Sequence, residues 1–177
     1  MFKHSTLFTF TSIFTICLGG LTWIYAQKPA ETSDLTTQDY IDIRHVYARY
    51  NGTIDDGDAE GWVAVWTDDG DFNGFKGKDE LLRFAKHYID HQDGALRRHW
   101  INNLHITETP EGANAENYFM ILDVSVTPPA VFSTGKNLDT FIRTANGWMF
   151  KSRTTWSADG ERITNEFWRE RGIDIGN

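Results

Sequence analysis

The sequence GALRRHWINNLHIT, residues 94–107, is the point at which the chain changes its hydrophobic period. Upstream of Gly94, apolar residues recur every three to four positions, which is typical of amphipathic helices. From Arg97 onward, apolar and polar residues alternate, which is typical of strands with one buried face. The chain is therefore predicted to place its helices first and a sheet afterwards.

The helical part has clear start and stop signals. Thr36 followed by Asp39 resembles a capping box, and Gly57 interrupts the apolar stripe that the first helix carries. Asp58 is a suitable cap for a second, short helix. In chain order the predicted elements are a helix from Thr36 to Gly57, a short helix after Asp58, a turn over 68–71 and a helix over 78–91.

The second half is predicted to form a meandering sheet. Asn146-Gly147 indicates a hairpin, because a type I′ turn needs two positive φ angles. The predicted strands cover 97–107, 115–127, 131–144 and 148–157, and a short helix is expected around 165–171. Helices followed by such a sheet predict an α+β fold, a cone-shaped α+β barrel with the N-terminal helices packed in a curved, mostly antiparallel sheet. Its interior is a natural site for a small ligand.

Composition narrows the class of protein. The chain has 177 residues, with 17 Lys and Arg against 25 Asp and Glu, so its formal charge is −8. This balance excludes the broad basic surface that nucleic-acid binding requires. Hydrophobic residues make up 40% and charged residues 24%, as in ordinary folded chains, and the length suits one domain. The 7 Trp, 6 Tyr and 12 Phe are enough to fill a core and also line an apolar pocket.

The first 26 residues have the pattern of a targeting segment. Lys3 and His4 precede an uncharged stretch over 7–26 that ends at Ala26, as in secretory signals. We expect residues 1–26 to be a signal peptide of an exported protein, 27–35 a leader and 36–177 the folded domain. The alternative is an uncleaved N-terminal anchor, the one way in which this chain would associate with a membrane. Cleavage would also remove Cys17, the only cysteine.

Three segments resemble a known family. They are YARYNGTIDDGDAEGWVAVWTDDGDF at 47–72, RRHWINNLHI at 97–106 and NGWMF at 146–150. They resemble the SnoaL-like branch of the nuclear-transport-factor-2-like superfamily, and within it the group of scytalone dehydratase and bile-acid 7α-dehydratase. That resemblance implies the same cone-shaped fold. It also implies site residues at Tyr50, Asp55, His99 and Asp123.

His99 is the best candidate for a proton carrier. Strict alternation puts His99, Asn103 and His105 on one face of their strand, so Asn103 and His105 are predicted to contact substrate. An imidazole inside a cone can titrate near neutral pH and move a proton. The alternative is a structural histidine with satisfied hydrogen bonds.

Asp55 and Tyr50 complete the predicted catalytic group. Asp55 can hold one imidazole nitrogen and raise the basicity of the other, although acids are also common at helix ends, and Asp56 competes for the role. A spacing of five residues leaves Tyr50 and Asp55 about 140° apart around a helix, so their pairing requires the helix to end or tighten near Ile54. Tyr50 either donates a hydrogen bond to substrate or packs in the core.

Asp123 has two possible orientations. It shares a strand face with Phe119 and Ile121, so it enters the pocket only if that face is concave. An inward carboxylate would be a functional signal, because burial of an unpaired charge is costly. The surrounding aromatic residues are predicted to be core rather than pocket; these are Trp62, Trp66, Phe84, Tyr88 and Trp100.

These residues predict a cofactor-independent lyase, a dehydratase, or an isomerase that acts on a small apolar carbonyl-bearing molecule. The first alternative is an exported binding protein for a small hydrophobic ligand, which would not need a His–Asp pair. The second is a structural subunit with a filled cone. No metal or other cofactor is expected, because His87 and His91 have a compatible spacing but no accompanying motif. We expect a homo-oligomer.

Overall fold

The computed structural model describes residues 35–92 and 94–173. The predicted signal peptide, 1–26, and leader residues 27–34 lie outside them, so export stays a prediction. Within the described part of the chain, no helix combines the length and apolar character that crossing a membrane requires.

Helix α1, Thr37–Asp55, begins at the predicted capping box. Thr36 accepts a hydrogen bond from the Asp39 backbone N–H, and the Asp39 carboxylate accepts one from the Thr36 backbone N–H at 2.8 Å. Helix α2, Ala59–Ala64, is capped by Asp58, whose side chain accepts from Gly61 N. The remaining helices are α3, Gly77–Asp90, and α4, Asn165–Arg169.

The strands form one curved, mixed sheet that does not close on itself. The strand order is β2-β1-β6-β5-β4-β3, with β7 also pairing with β6. All pairs are antiparallel except β1 with β6. The strands are β1, Trp66–Phe72; β2, Phe75–Lys76; β3, Arg97–Thr109; β4, Gly112–Asp123; β5, Ala130–Thr144; β6, Gly147–Ser157; and β7, Arg162–Ile163. The predicted α+β class and antiparallel hairpins are confirmed.

The predicted turn at 68–71 is wrong, because these residues belong to β1. The reversal comes two residues later, at Asn73 and Gly74, which have φ angles of +53° and +96°. Asn and Gly tolerate this left-handed conformation best, so the turn forms there and lets β2 pair with β1.

An aromatic cluster fills the space between the helices and the inner face of the sheet. Trp62 and Trp66 are about 1% and 0% exposed, and Trp66 lies 4.9 Å from the ring of Phe150. Tyr47 of α1 meets Phe141 and Phe150 edge-on, each at 5.3 Å. Such contacts add to the hydrophobic gain from burial. This cluster fixes α1 against the sheet, and α1 carries two of the predicted site residues.

Candidate active site

His99 and Asp55 form a closely bonded pair. The Nδ1 of His99 lies 2.5 Å from Oδ1 of Asp55, and the backbone N–H of His99 donates to Oδ2 at 2.9 Å. Their side chains are only 15% and 9% exposed. Because the carboxylate accepts from Nδ1, the neutral ring carries its proton there and leaves Nε2 as the basic nitrogen.

The end of α1 is what brings Asp55 to this position. Asp55 is the last residue of the helix, and the next backbone N–H groups, of Asp56 and Gly57, bond back to Gly52 and Ile54. Arg98 of β3 also donates to the backbone carbonyl of Asp55 at 3.2 Å. The predicted requirement that the helix ends near Ile54 is therefore met. The competing candidate Asp56 is exposed.

A cavity of about 320 Å³ lies beside the pair. It is within the size range of small-molecule sites and is lined mainly by apolar and aromatic side chains. His99 and Tyr50 line it, as do Trp62, Phe84 and Tyr88, which were predicted as core. The core prediction is wrong for Trp100, which is 58% exposed on the opposite face of β3. Trp66 is wholly buried.

Tyr88 is a site residue that the sequence prediction missed. It lies on the apolar stripe of α3, where an aromatic residue is usually core, and its hydroxyl sits 3.4 Å from Nε2 of His99. Burial raises its pKa, and the nearby Tyr50 and Asp55 act in the same direction, while Arg97 opposes them. The phenol therefore stays protonated and is available as a hydrogen-bond donor.

Tyr50 lies deeper in the same cavity, 6% exposed, with its ring 5.2 Å from that of Trp62. Burial raises its pKa, and the charge and N–H groups of Arg153 act in the opposite direction. The guanidinium of Arg153 lies 4.3 Å from the centre of the Tyr50 ring. Tyr50 thus presents a neutral O–H in an apolar wall, next to a buried cation.

The two other residues predicted from the β3 alternation do not share the face of His99. Asn103 has a φ of +52°, and the pairing of β3 with β4 shifts register between Asn102 and His105. This β-bulge reverses the alternation, because one extra residue turns every later side chain to the opposite face. Leu104 is partly buried, and His105 is exposed opposite Glu116. The shared face was predicted wrongly, because strict alternation was continued through Asn102 and Asn103, two consecutive polar residues at which the pattern shifts by one position.

Asp123 lies at the rim of the site rather than inside it. Phe119 and Ile121 do line the cavity, so the strand face that they were predicted to share with Asp123 is the concave one. Asp123, however, ends β4 in an ion pair with Arg97 at 2.8 Å and accepts a backbone hydrogen bond from Ser125. The Ser125 hydroxyl also donates to Asp123, and this bond holds the pKa of Asp123 below its usual range most strongly, with the backbone bond and Arg97 acting in the same direction. Asp123 is not among the described residues that line the cavity.

The described residues contain no group of three or more His, Cys, Asp or Glu side chains that could hold a metal ion. His87 and His91 stack on each other, with ring centres 3.9 Å apart. That no metal or cofactor takes part stays a prediction.

Solved structures share this fold at low sequence identity. Aln2 from a Streptomyces species superposes with a TM-score of 0.66 at 23% identity, covering 71% of this chain and 94% of that one. An NTF2-like protein with a cystatin-like fold from Novosphingobium aromaticivorans superposes with a TM-score of 0.61 at 22% identity, covering 89% and 97%. A candidate scytalone dehydratase, also from Novosphingobium aromaticivorans, gives 0.57 at 17%, covering 70% and 89%. These matches establish the fold.

The sequence itself gives the family. A search of curated proteins finds no match. The model of the SnoaL-like domain matches residues 36–154, which span the capping box of α1, the His–Asp pair and Arg153. The fold and this match agree with the resemblance seen in the three sequence segments, and the chain belongs to the SnoaL-like domain family.

Proposed function

We propose that this protein is a cofactor-independent lyase, a dehydratase, or an isomerase that acts on a small apolar molecule carrying a carbonyl group. The observation that carries the proposal is the 2.5 Å contact between Nδ1 of His99 and Asp55 beside an apolar cavity. A separation above about 4 Å would have favoured a binding protein, because hydrogen bonding could not then orient the imidazole. The likeness in fold to a candidate scytalone dehydratase supports the same class of reaction.

The first step is removal of a proton from the carbon next to the carbonyl. Nε2 of His99 takes the proton, and the electron pair of the broken C–H bond moves onto the carbonyl oxygen to form an enolate. The Asp55 carboxylate stabilises the imidazolium that results. Tyr50 donates a hydrogen bond to the enolate oxygen, and an apolar cavity strengthens that bond because water does not compete for it.

The second step decides between the two reaction types. In a dehydration, the enolate re-forms its carbonyl and expels the hydroxyl group from the next carbon, and the imidazolium proton leaves with it as water. In an isomerisation, the substrate carries a double bond conjugated with the enolate, and the same proton returns to the far carbon of that extended system, so that the double bond moves. Tyr88, beside Nε2, is placed to donate to the departing hydroxyl in the first case.

The first step can be tested without knowing the natural substrate. We expect the protein to speed the exchange of the C2 hydrogens of 1-tetralone, a bicyclic ketone, for deuterium in D₂O, measured by mass spectrometry. His99→Gln should lower the rate at least about 100-fold, as expected for loss of a general base. The matched control is His105→Gln on the exposed face of the same strand, which should keep the wild-type rate.

Two results would count against the proposal. One is exchange by the wild-type protein no faster than in buffer. The other is equal loss of exchange in the two histidine variants, because His105 lies outside the cavity.

A further inference from the structure

β3 lies at the edge of the sheet, and the end of α1 takes the place of a further strand there. β3 ends the strand order of the described sheet, so one side of its backbone has no neighbouring strand. The backbone N–H groups on such an edge need other acceptors. At His99 the acceptor is Oδ2 of Asp55, at 2.9 Å. Asp55 therefore joins α1 to β3 at the same residue that carries the imidazole.

The last carbonyl of α1 is satisfied from outside the helix. The final carbonyl groups of a helix have no donor within it and carry partial negative charge, yet the last turn of α1 contains no basic residue. The carbonyls of residues 52–54 accept from the backbone N–H groups that follow the helix. The Asp55 carbonyl instead accepts from Nη1 of Arg98, at 3.2 Å. Arg98 therefore supplies, from β3, the cation that the end of this helix lacks.

Arg98 can reach α1 because β3 is an edge strand. It directly precedes His99, so its side chain starts from the opposite, outer face of the sheet. At an edge the long side chain can pass round the strand, and the same Nη1 also donates to the Arg97 carbonyl at 2.8 Å. Nη1 has two N–H groups, one for each carbonyl, in the rigid plane of the guanidinium. This nitrogen therefore connects the backbone of β3 to the backbone of α1.

Asp55 is thereby held at three points by two consecutive residues. Arg98 bonds its carbonyl, the His99 backbone N–H bonds Oδ2, and Nδ1 of His99 bonds Oδ1. The two carboxylate bonds form together only where the main chain of Asp55 is correctly placed, and the end of a helix frays readily. The Arg98 bond is the one that acts on that main chain. It matters for the chemistry, because a displacement of about 1 Å in a catalytic group can cost about 10²-fold in rate.

We propose that Arg98 is a positioning residue for the pair of Asp55 and His99. Its guanidinium fixes the end of α1 to β3, and this places the carboxylate where it orients the imidazole. Arg98 is not among the described residues that line the cavity, so it acts through Asp55 and not by contact with the substrate. This inference rests on the proposed function, which gives the pair its chemical role.

Backbone hydrogen exchange of the full chain, followed by NMR without any substrate, tests the inference. The His99 N–H bonds to Asp55, whereas the N–H of the next residue, Trp100, points the other way, towards β4. Arg98→Met keeps a long side chain and removes the donors. We expect it to lower the protection of the His99 N–H about 5- to 10-fold, as loss of one hydrogen bond would give, and to leave that of Trp100 within about twofold. A role in overall stability alone would lower both equally.

The deuterium exchange of 1-tetralone gives a second readout. Arg98→Met should lower the rate about 10-fold, less than His99→Gln does, and leave the affinity for 1-tetralone, measured by quenching of tryptophan fluorescence, within about twofold. Arg98→Lys keeps the charge and can bond one of the two carbonyls, so its effects on protection and rate should be smaller. Arg49→Met removes an exposed arginine from α1 and is the matched control, which should keep the wild-type protection and rate.

The inference is overturned if a folded Arg98 variant keeps the wild-type protection of the His99 N–H, or if His99 and Trp100 lose protection equally. A specific loss of His99 protection with an unchanged exchange rate would also overturn it, because the position of Asp55 would then not matter for the reaction. If the melting curve shows that Arg98→Met does not fold, Arg98→Lys decides in the same way.

Failure of the proposed reaction gives a different result. Wild-type protein that does not exchange 1-tetralone, but whose His99 protection depends on Arg98, would leave Arg98 as the residue that positions Asp55 and would remove the proposed chemistry.

Discussion

Asp55 determines which ring nitrogen of His99 carries the proton in the neutral form and which is left as an acceptor. Its Oδ1 accepts from Nδ1, and its Oδ2 accepts from the His99 backbone N–H, so ring and carboxylate hold each other in one orientation. If an N–H donor replaced the Asp55 oxygen that faces Nδ1, the His99 ring would carry its proton on Nε2 instead.

Asp55→Asn tests this role. Its amide can still accept from the backbone of His99, but its NH₂ group faces Nδ1 and favours the tautomer with a proton on Nε2. We expect exchange of 1-tetralone to fall by about 10²- to 10⁴-fold, with a melting temperature near that of the wild type. Nitrogen-15 NMR of the labelled imidazole reports the tautomer. An unchanged tautomer with lost activity would contradict this explanation.

Some site residues could be predicted from sequence and others could not. Tyr50, Asp55 and His99 were predicted as candidates because they belong to segments that resemble the family. Tyr88 was missed because it lies on the apolar stripe of a helix, where residue type and spacing fit a core position equally well. Only the approach of α3 to β3, a tertiary contact, brings its hydroxyl to His99.

Element boundaries were predictable where a cap or turn residue marks them, but the bulges were missed. In β3 the bulge at Asn103 turns His105 outward, and in β6 the pairing skips Lys151, because Phe150 pairs with Phe141 and Ser152 with Thr140. Strict alternation from Phe150 would put Arg153 on the outer face. The second bulge turns Arg153 into the cavity instead. The wrong face predicted for His105 and the failure to predict Arg153 therefore have the same physical cause, a bulge that shifts the alternation.

The bulge at Asn103 predicts a specific pattern of stabilities. A β-branched residue fits poorly at a φ of +52°, so Asn103→Val should lower the free energy of unfolding by about 1–2 kcal/mol. Asn103→Gly should change it by only a few tenths of a kcal/mol, because glycine has no Cβ. Urea denaturation measures these values. Thr107→Val, at an exposed position of the same strand, is the control. If the two valine substitutions had equal effects, backbone strain at position 103 would not be the cause.

At the scale of the whole molecule, the order of helices and sheet could be predicted from the change of hydrophobic period near Gly94. The sequence pattern does not predict whether copies of the chain associate. The outer face of the sheet exposes Trp100, Tyr118 and Leu138 by 58, 56 and 39%. Large apolar side chains on one face are typical of interaction surfaces. The homo-oligomer nevertheless stays a prediction.

The buried phenols predict how stability depends on pH. Burial raises the pKa of Tyr47, Tyr50 and Tyr88, the first also through Asp139. In the unfolded chain these groups ionise near pH 10, so above that pH the folded protein binds more protons than the unfolded one. Stability must then fall as the pH rises, by about 1.4 kcal/mol per pH unit for each phenol, or about 4 kcal/mol for three. Lys78, whose pKa burial lowers, opposes this by at most one proton.

We therefore expect the free energy of unfolding to be nearly constant from about pH 7 to 9 and to decrease steeply above about pH 10. Urea titrations at each pH measure it, and absorbance at 295 nm reports tyrosinate. Tyr47→Phe removes one of the three phenols, so its stability should be lower at pH 8, where Asp139 has lost a donor, but should decrease less steeply above pH 10. Tyr118→Phe, on the exposed face, should leave the slope unchanged. If the slope is the same in the wild type and in Tyr47→Phe, the buried phenols do not cause the loss of stability.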